Sequence, residues 1–265
     1  MSSGDLWMRD LITTYGLALL VSACALIVFS WSWSRFRQNH FKSFLLGFEC
    51  ECAQLASAHK KRLFSVLRQT VSHDELLRSL NRIRILEIGV KTGDNIQYYP
   101  EGTHFIGVDW NRKLGEYLVN GDRSWQFAHV IFERLIIGDG SCMRAVPTGC
   151  VDVVVTTRSL CSTDSITDTL REIHRVLAPG GTYLFMEHLP DKPGSFVAWI
   201  QMMLTKTKIW PSLFGACRLD FDPIEHLERS RLKNLSWQRI VLQGYVSQPH
   251  HLLLSRHHII GSASR

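Results

Sequence analysis

The stretch Ile83–Asn95, IRILEIGVKTGDN, decides the fold. Its first six residues, Ile83–Ile88, are rich in β-branched and apolar side chains, as a buried strand requires. Glycines follow at Gly89 and Gly93. Glycine there lets a chain leaving a strand turn sharply and approach a ligand closely before a helix begins. Asp109 closes a second apolar run, His104–Asp109 (HFIGVD), and stands twenty-two residues after Glu87. An acid about twenty residues on is where a nucleotide ribose would be hydrogen-bonded. A glycine turn with a helix-capping aspartate is the plain alternative for this pair taken alone.

Further along, Val130–Ile137 (VIFERLII), Val151–Thr157 (VDVVVTT) and Thr182–Glu187 (TYLFME) read as strands. Between them Ser165–Leu177 (SITDTLREIHRVL) has apolar side chains at 166, 170, 173, 176 and 177, a helical spacing. Strands alternating with helices predict an α/β fold, a doubly wound and mostly parallel sheet with helices on both faces. Gly138-Asp139-Gly140 follows the third strand, where a short acidic loop could read an adenine amino group. Arg175–His188 (RVLAPGGTYLFMEH) ends a helix, turns on Pro179-Gly180-Gly181 and enters a strand.

The composition conceals two unlike parts. The chain has 265 residues, 45% hydrophobic and 20% charged, which argues against a disordered or fibrous protein. Its mean hydropathy of -0.01 is high for a soluble enzyme. The excess lies at the start: between Asp10 and Arg35 are 24 residues without a charge. As a helix they cover about 30 Å or more, the thickness of a bilayer's hydrocarbon core. Trp31 and Trp33 stand where an interfacial aromatic belt would be, and Arg35, Arg37 and Lys42 follow. Residues 1–35 are therefore expected to be a retained membrane anchor, with the rest of the chain on the cytosolic side. A cleaved signal peptide would want a basic start and a small-residue cleavage site; this segment has neither.

Residues 36–80 are expected to form a basic, helical linker. From Arg35 to Arg78, eight Lys/Arg face four acids, most of the net charge of +6. Such a stretch suits an anionic membrane face or a solvated helix surface equally. Within it Ser43–Leu55 (SFLLGFECECAQL) is apolar but too short to span, and reads as an amphipathic helix on the membrane or on the domain. Cys50 and Cys52, with no second ligand pair, are a weak metal signal. Seven cysteines at scattered spacings do not form a disulfide framework.

Taken together, the strand–glycine loop, Asp109 and above all RVLAPGGTYLFMEH make residues 81–265 resemble a class I S-adenosylmethionine-dependent methyltransferase. More narrowly, the chain resembles the membrane-associated thiol methyltransferases of the methyltransferase-like seven family. His59–Ser65 (HKKRLFS), Leu86–Pro100, Val151–Ser162, Trp210–Leu219 and Arg256–Ala263 also carry that likeness. It implies a seven-stranded sheet and S-adenosylmethionine as cofactor. Glu87 and Asp109 would fix the cofactor's amino-acid and ribose ends, and Gly89, Lys91 and Gly93 would form the close-approach loop. Asp139 and Gly140 would meet the adenine, with Trp110 and Thr157 beside the cofactor. Lys91 departs from the family pattern, which has a glycine there. The lysine either crowds the site, points outward or pairs with the cofactor's carboxylate.

The resemblance also implies a small lipophilic thiol as acceptor and an endoplasmic reticulum membrane location, with lipid droplets as a second site. A thiol of reference pKa about 8.5 is partly ionised near neutrality and needs only modest base help. Candidate catalytic residues are Glu187 and His188, with Cys161 and Arg158 close by. The apolar run Phe196–Leu204 (FVAWIQMML) reads either as a cover over a lipophilic acceptor or as a core helix. Methylation of oxygen or nitrogen, and a silent fold kept for binding because of Lys91, are the alternatives. No nucleic acid is expected, because aromatics do not interleave with the basic residues. No metal is expected either: the pairs His250-His251 and His257-His258 would face opposite sides of a strand.

Overall fold

A computed structural model describes residues 3–112, 118 and 124–265. Met1 and Ser2, part of the segment read as an anchor, lie outside the described residues. Contacts divide the chain into two units, Met1–Ser43 and Phe44–Arg265.

The first unit is carried by a single helix, α1 (Ser3–Phe44), of 42 residues. Leu19, Leu20, Leu26, Ile27, Phe29 and Trp31 are all exposed along it. A helix this apolar that buries none of these side chains has the length and composition to cross a membrane. The aromatic side chains after the apolar run stack on one another, Phe29 on Trp33 and Trp33 on Phe36, and the Arg35 guanidinium lies 4.5 Å from the Trp31 ring centroid.

In the second unit the strands are β1 (Arg84–Ile88), β2 (Thr103–Asp109), β3 (Val130–Ile137), β4 (Val151–Thr157), β5 (Leu177–His188), β6 (Lys233–Val241) and β7 (His257–Ser264). They form one sheet in the order β3-β2-β1-β4-β5-β7-β6. The first five are parallel, and β7 runs antiparallel between β5 and β6. The five expected strands are all present, and the sheet has the seven-stranded, mostly parallel build of the expected class. Parallel strands covered on both faces need apolar residues in succession rather than in alternation. Thus Leu86, Ile88, Val154, Tyr183 and Phe185 fill one face with Leu170 and Ile173 of the helix Ile166–Val176. Ile85, Phe105, Val153, Val155 and Leu184 fill the other with Phe64, Leu67 and Tyr99.

Local chemistry sets several boundaries. Ser165 caps its helix by accepting from the Asp168 N–H. β5 begins at Leu177, five residues before the expected start, because the Pro179–Gly181 turn is accommodated as an irregularity in its pairing with β4. The expected helix over Ser43–Leu55 is interrupted: a π-helical turn, Leu45–Glu49, precedes a short helix, Cys50–Leu55. Leu45, Phe48, Glu49 and Cys52 are buried on the domain. His250 and His251 stand on a helix, Pro249–Ser255, and not on the strand assumed for them.

Asp152, at the opposite end of the sheet from the site described below, ties the preceding helical segment to β1. Its carboxylate accepts from Ser72 Oγ (2.8 Å), His73 N (2.8 Å) and Arg84 N (2.7 Å). Replacing it with alanine strands buried donors, which costs about 1–3 kcal/mol each. We expect Asp152→Ala to lower stability by about 3 kcal/mol, read as a shift in the urea midpoint, while cofactor affinity stays within twofold.

Candidate active site

Open α/β sheets bind ligands at the carboxyl ends of the strands, where the strand order reverses. Here that point lies between β1 and β4. Gly89, just past β1, has φ +76°, and a Cβ on it would sit 2.5 Å from the Ser159 Cβ in the loop after β4. Only glycine allows the two loops to touch. Gly93 has φ +79°, and a Cβ there would lie 2.7 Å from Leu118 Cδ2.

Between those glycines, Lys91 also takes a left-handed conformation, φ +54°. Its N–H donates to Asp109 Oδ2 at 2.8 Å, and Asp109 Oδ1 accepts from Asn111 N at 2.8 Å. The aspartate at the end of β2 thus holds the glycine loop in place. The Lys91 ammonium donates to Glu49 Oε2 at 2.9 Å and to the Arg158 carbonyl at 3.1 Å. Glu49 Oε1 accepts from Arg158 Nη2 at 3.0 Å and Nε at 3.2 Å. One buried carboxylate thereby bridges two cations. Burial would raise the Glu49 pKa, but the Arg158 and Lys91 charges outweigh it and hold the carboxyl well below the usual range. His258 Nε2 accepts from Arg158 Nη1 at 2.9 Å while its Nδ1 donates to the Arg256 carbonyl. Burial and Arg158 keep that imidazole neutral.

Glu87 points to the other side of the same loop. It accepts from Asn95 Nδ2 and from the Tyr99 hydroxyl, both at 2.6 Å, and Asn95 Nδ2 also donates to Thr157 Oγ1 at 2.8 Å. Burial pushes the Glu87 pKa up to about 7 in spite of those two hydrogen bonds. Between about pH 4.5 and 7 the folded state then binds a proton the unfolded state lacks. Its stabilisation is full below about 4.5 and is lost as pH rises through 7, roughly 3 kcal/mol in all. Glu187, also raised to about 7 by burial, has the same sign. Urea midpoints measured from pH 5 to 8 should fall with rising pH, and Glu87→Gln should keep only the Glu187 share of that slope.

Farther along the strand ends, Asp139 Oδ1 accepts from Ser141 N at 2.7 Å, closing the loop after β3. A Cβ on Gly140 would lie 2.8 Å from Ile88 Cγ2. Trp110, half exposed, sits beside Asp109. Glu187 Oε2 accepts from Ser159 N (2.9 Å) and Leu160 N (3.2 Å), so it orients the loop after β4. His188 is buried at the end of β5, with Nε2 3.3 Å from Cys217 Sγ. The structure therefore gathers Glu87, Gly89, Lys91, Gly93, Asp109 and Thr157 about one loop, with Trp110, Asp139 and Gly140 on its far side. Glu187 and His188 end β5, on the far side of β4. Glu49, Asn95 and Tyr99 were not anticipated; an acid inside the apolar run of residues 43–55 was the available signal, since a buried charge demands a partner.

The profile of a methyltransferase domain matches residues 59–241, more than half of the chain, and includes Glu87, Lys91, Asp109 and Arg158 of this crevice. The chain belongs to the methyltransferase-domain family. It is 32% identical over 233 residues to human thiol S-methyltransferase TMT1A, covering 88% of each. With rat thiol S-methyltransferase TMT1B it shares 29% identity over 208 residues, 78% of this chain and 81% of the relative. Among solved structures, the methyltransferase fold is shared with a geranyl diphosphate C-methyltransferase from Streptomyces coelicolor A3(2), solved in complex with Mg2+, geranyl diphosphate and S-adenosyl-L-homocysteine. That match has a TM-score of 0.55 at 14% identity and covers 80% of this chain and 81% of the other.

Proposed function

We propose that this methyltransferase is membrane-anchored and transfers a methyl group from S-adenosylmethionine to a small lipophilic thiol. The observation that carries the reading is the meeting of Asp109, two left-handed glycines and a buried ionic cluster at the β1/β4 crevice. The likeness to thiol S-methyltransferases favours sulfur as the accepting atom.

The donor set fits the cofactor. Each Asp109 oxygen holds one backbone N–H and keeps lone pairs for ribose hydroxyls. The cofactor's other end is a zwitterion, and the cleft wall offers Lys60, Lys91 and Arg158 for its carboxylate and Asp94 for its ammonium. The enclosed space there is about 20 Å³, enough for a water but not for an amino-acid tail. Room appears when Glu49 leaves Lys91 and Arg158. When bound, the cofactor supplies a sulfonium-activated methyl group. The protein's part is to hold donor and acceptor in line and exclude water, a proximity effect. Asp109 and Trp110 would hold the nucleoside, Asp139 and Gly140 its adenine, and Lys91 with Arg158 the carboxylate. Glu187 acts as a positioning residue through the Ser159–Leu160 backbone.

The α1 helix supports the anchor, with the uncharged run, the tryptophans and the trailing basic residues favouring a cytosol-facing catalytic unit. We assign it to the endoplasmic reticulum membrane and, second, to lipid droplets. The full chain should stay with membranes through carbonate extraction; release would refute the anchor. The acceptor is tested with a methyl-labelled donor and matched alkanethiols and alkanols. Label in the thiol pool is expected, and label confined to alcohols would overturn the sulfur assignment.

A further inference from the structure

Cys161, His188 and Cys217 come from separate elements and converge at one point. Cys161 lies in the turn Leu160–Ser162 after β4, His188 ends β5, and Cys217 follows the short helix Ile209–Leu213. The two sulfurs are 3.4 Å apart, and Cys217 Sγ is 3.3 Å from His188 Nε2. All three ligand atoms lie within 4.8 Å of one another. Both thiols are free.

The surroundings are built to hold this arrangement. Cys217 is preceded by two left-handed residues, Gly215 and Ala216, each at φ +64°. A left-handed alanine is strained and persists only where the structure holds it. Arg218, the next residue, donates to the Cys161 carbonyl through its N–H (3.2 Å) and its Nε (3.0 Å), bracing one cysteine segment against the other. As a purely hydrogen-bonded cluster the site is poorly satisfied. His188 is 1% exposed, its Nε2 meets only a thiol, and its Nδ1 has no partner among the described residues. Buried polar groups in native proteins nearly always find better partners.

Zinc–sulfur bonds of about 2.3 Å and zinc–nitrogen bonds of about 2.0–2.1 Å at tetrahedral angles put S···S near 3.8 Å and S···N near 3.6 Å. The Cys161 Sγ–Cys217 Sγ and Cys217 Sγ–His188 Nε2 distances are within a few tenths of an ångström of those, and Cys161 Sγ lies within 4.8 Å of a His188 ring nitrogen. Two sulfurs and one imidazole are a soft donor set. Three protein ligands rather than four are the mark of a site that keeps one position open, and no fourth ligand group joins the cluster among the described residues.

We propose that Cys161, His188 and Cys217 bind a thiophilic divalent metal ion of the zinc type, whose open position takes the acceptor thiol as its thiolate. The second half rests on the thiol reading given above. Metal binding breaks the Cys161 and Cys217 S–H bonds and releases both protons to water; when the acceptor binds, its S–H bond breaks, its proton also passes to water and its sulfur forms the fourth bond to the metal. Once methylated, that sulfur is a neutral thioether, a weaker ligand, and leaves.

The test uses the full chain in detergent, reduced, with Co2+ as the spectroscopic probe and without S-adenosylmethionine. One equivalent of Co2+ should produce thiolate charge-transfer bands and tetrahedral d–d bands, and Zn2+ should displace it. Adding 2-mercaptoethanol should shift the d–d bands. Cys161→Ser, Cys217→Ser and His188→Gln should each weaken Co2+ binding at least 100-fold while thermal unfolding stays cooperative. Replacing the exposed Cys142 with serine should change nothing. No tetrahedral cobalt spectrum, or a Cys161–Cys217 disulfide in the protein as isolated, overturns the site. Bands that ignore the thiol overturn the acceptor role, as does full methylation by metal-stripped protein. Metal and thiol binding without any methyl transfer would instead sink the enzyme reading and leave this inference standing.

Discussion

Replacing Asp109 with alanine is expected to weaken S-adenosylmethionine binding by about 100-fold or more, and methyl transfer with it. Two losses combine. The ribose hydroxyls lose a charged acceptor, and hydrogen bonds to charged groups contribute about 1.5–3 kcal/mol each. The Lys91 and Asn111 N–H groups also lose the carboxylate that fixes the glycine loop. The two can be separated, because Asp109→Asn keeps one acceptor oxygen and should retain more of the loop order than of the affinity. Calorimetric titration of both variants, with thermal unfolding in the absence of cofactor, reads the split. Asp109→Ala binding at the parent affinity would remove the aspartate from the cofactor site.

Glu49→Gln should have the largest effect on stability, and an effect of opposite sign on binding. Glu49 bridges Lys91 and Arg158, and removing one partner from a buried ionic cluster costs about 3–5 kcal/mol. The free protein should therefore unfold at a markedly lower urea concentration. In the same variant the cofactor's own carboxylate no longer competes with a resident one for the two cations. Its affinity should rise about tenfold or more, and saturating cofactor should return much of the lost stability. Lowered stability with unchanged or weaker cofactor affinity would show that Glu49 does not stand in the path of the amino-acid tail.

The physical reasons some features could be read from sequence differ from feature to feature. β1 to β5 were legible because strands buried on both faces are continuous apolar runs, VDVVVTT being the clearest. β6 was not: KNLSWQRIV lies at the sheet edge with most residues exposed or half-exposed, so burial imposes no pattern on it. β7 carries two histidines, a glycine and two serines and reads as polar. The glycine loop and Asp109 were legible because backbone geometry and a fixed strand length set their spacing. Lys91 was recognised as a departure, yet its direction was not legible, since Glu49 lies 42 positions earlier in a segment that reads as a plain amphipathic helix. The same limit hid Cys217, which joins Cys161 and His188 only through the chain reversal that the left-handed pair Gly215-Ala216 creates. Contacts made within one element or its neighbour leave a periodic trace; contacts between distant loops do not.

The proposed function requires the β1/β4 crevice of this methyltransferase to accept S-adenosylmethionine despite Lys91. Calorimetric titration of the full chain in detergent with S-adenosylmethionine and with S-adenosyl-L-homocysteine tests it directly. Saturable binding of both at one site per chain, lost in Asp109→Ala and strengthened in Glu49→Gln, is the predicted result. No heat and no thermal stabilisation from either compound, in the parent and in Glu49→Gln alike, would contradict it.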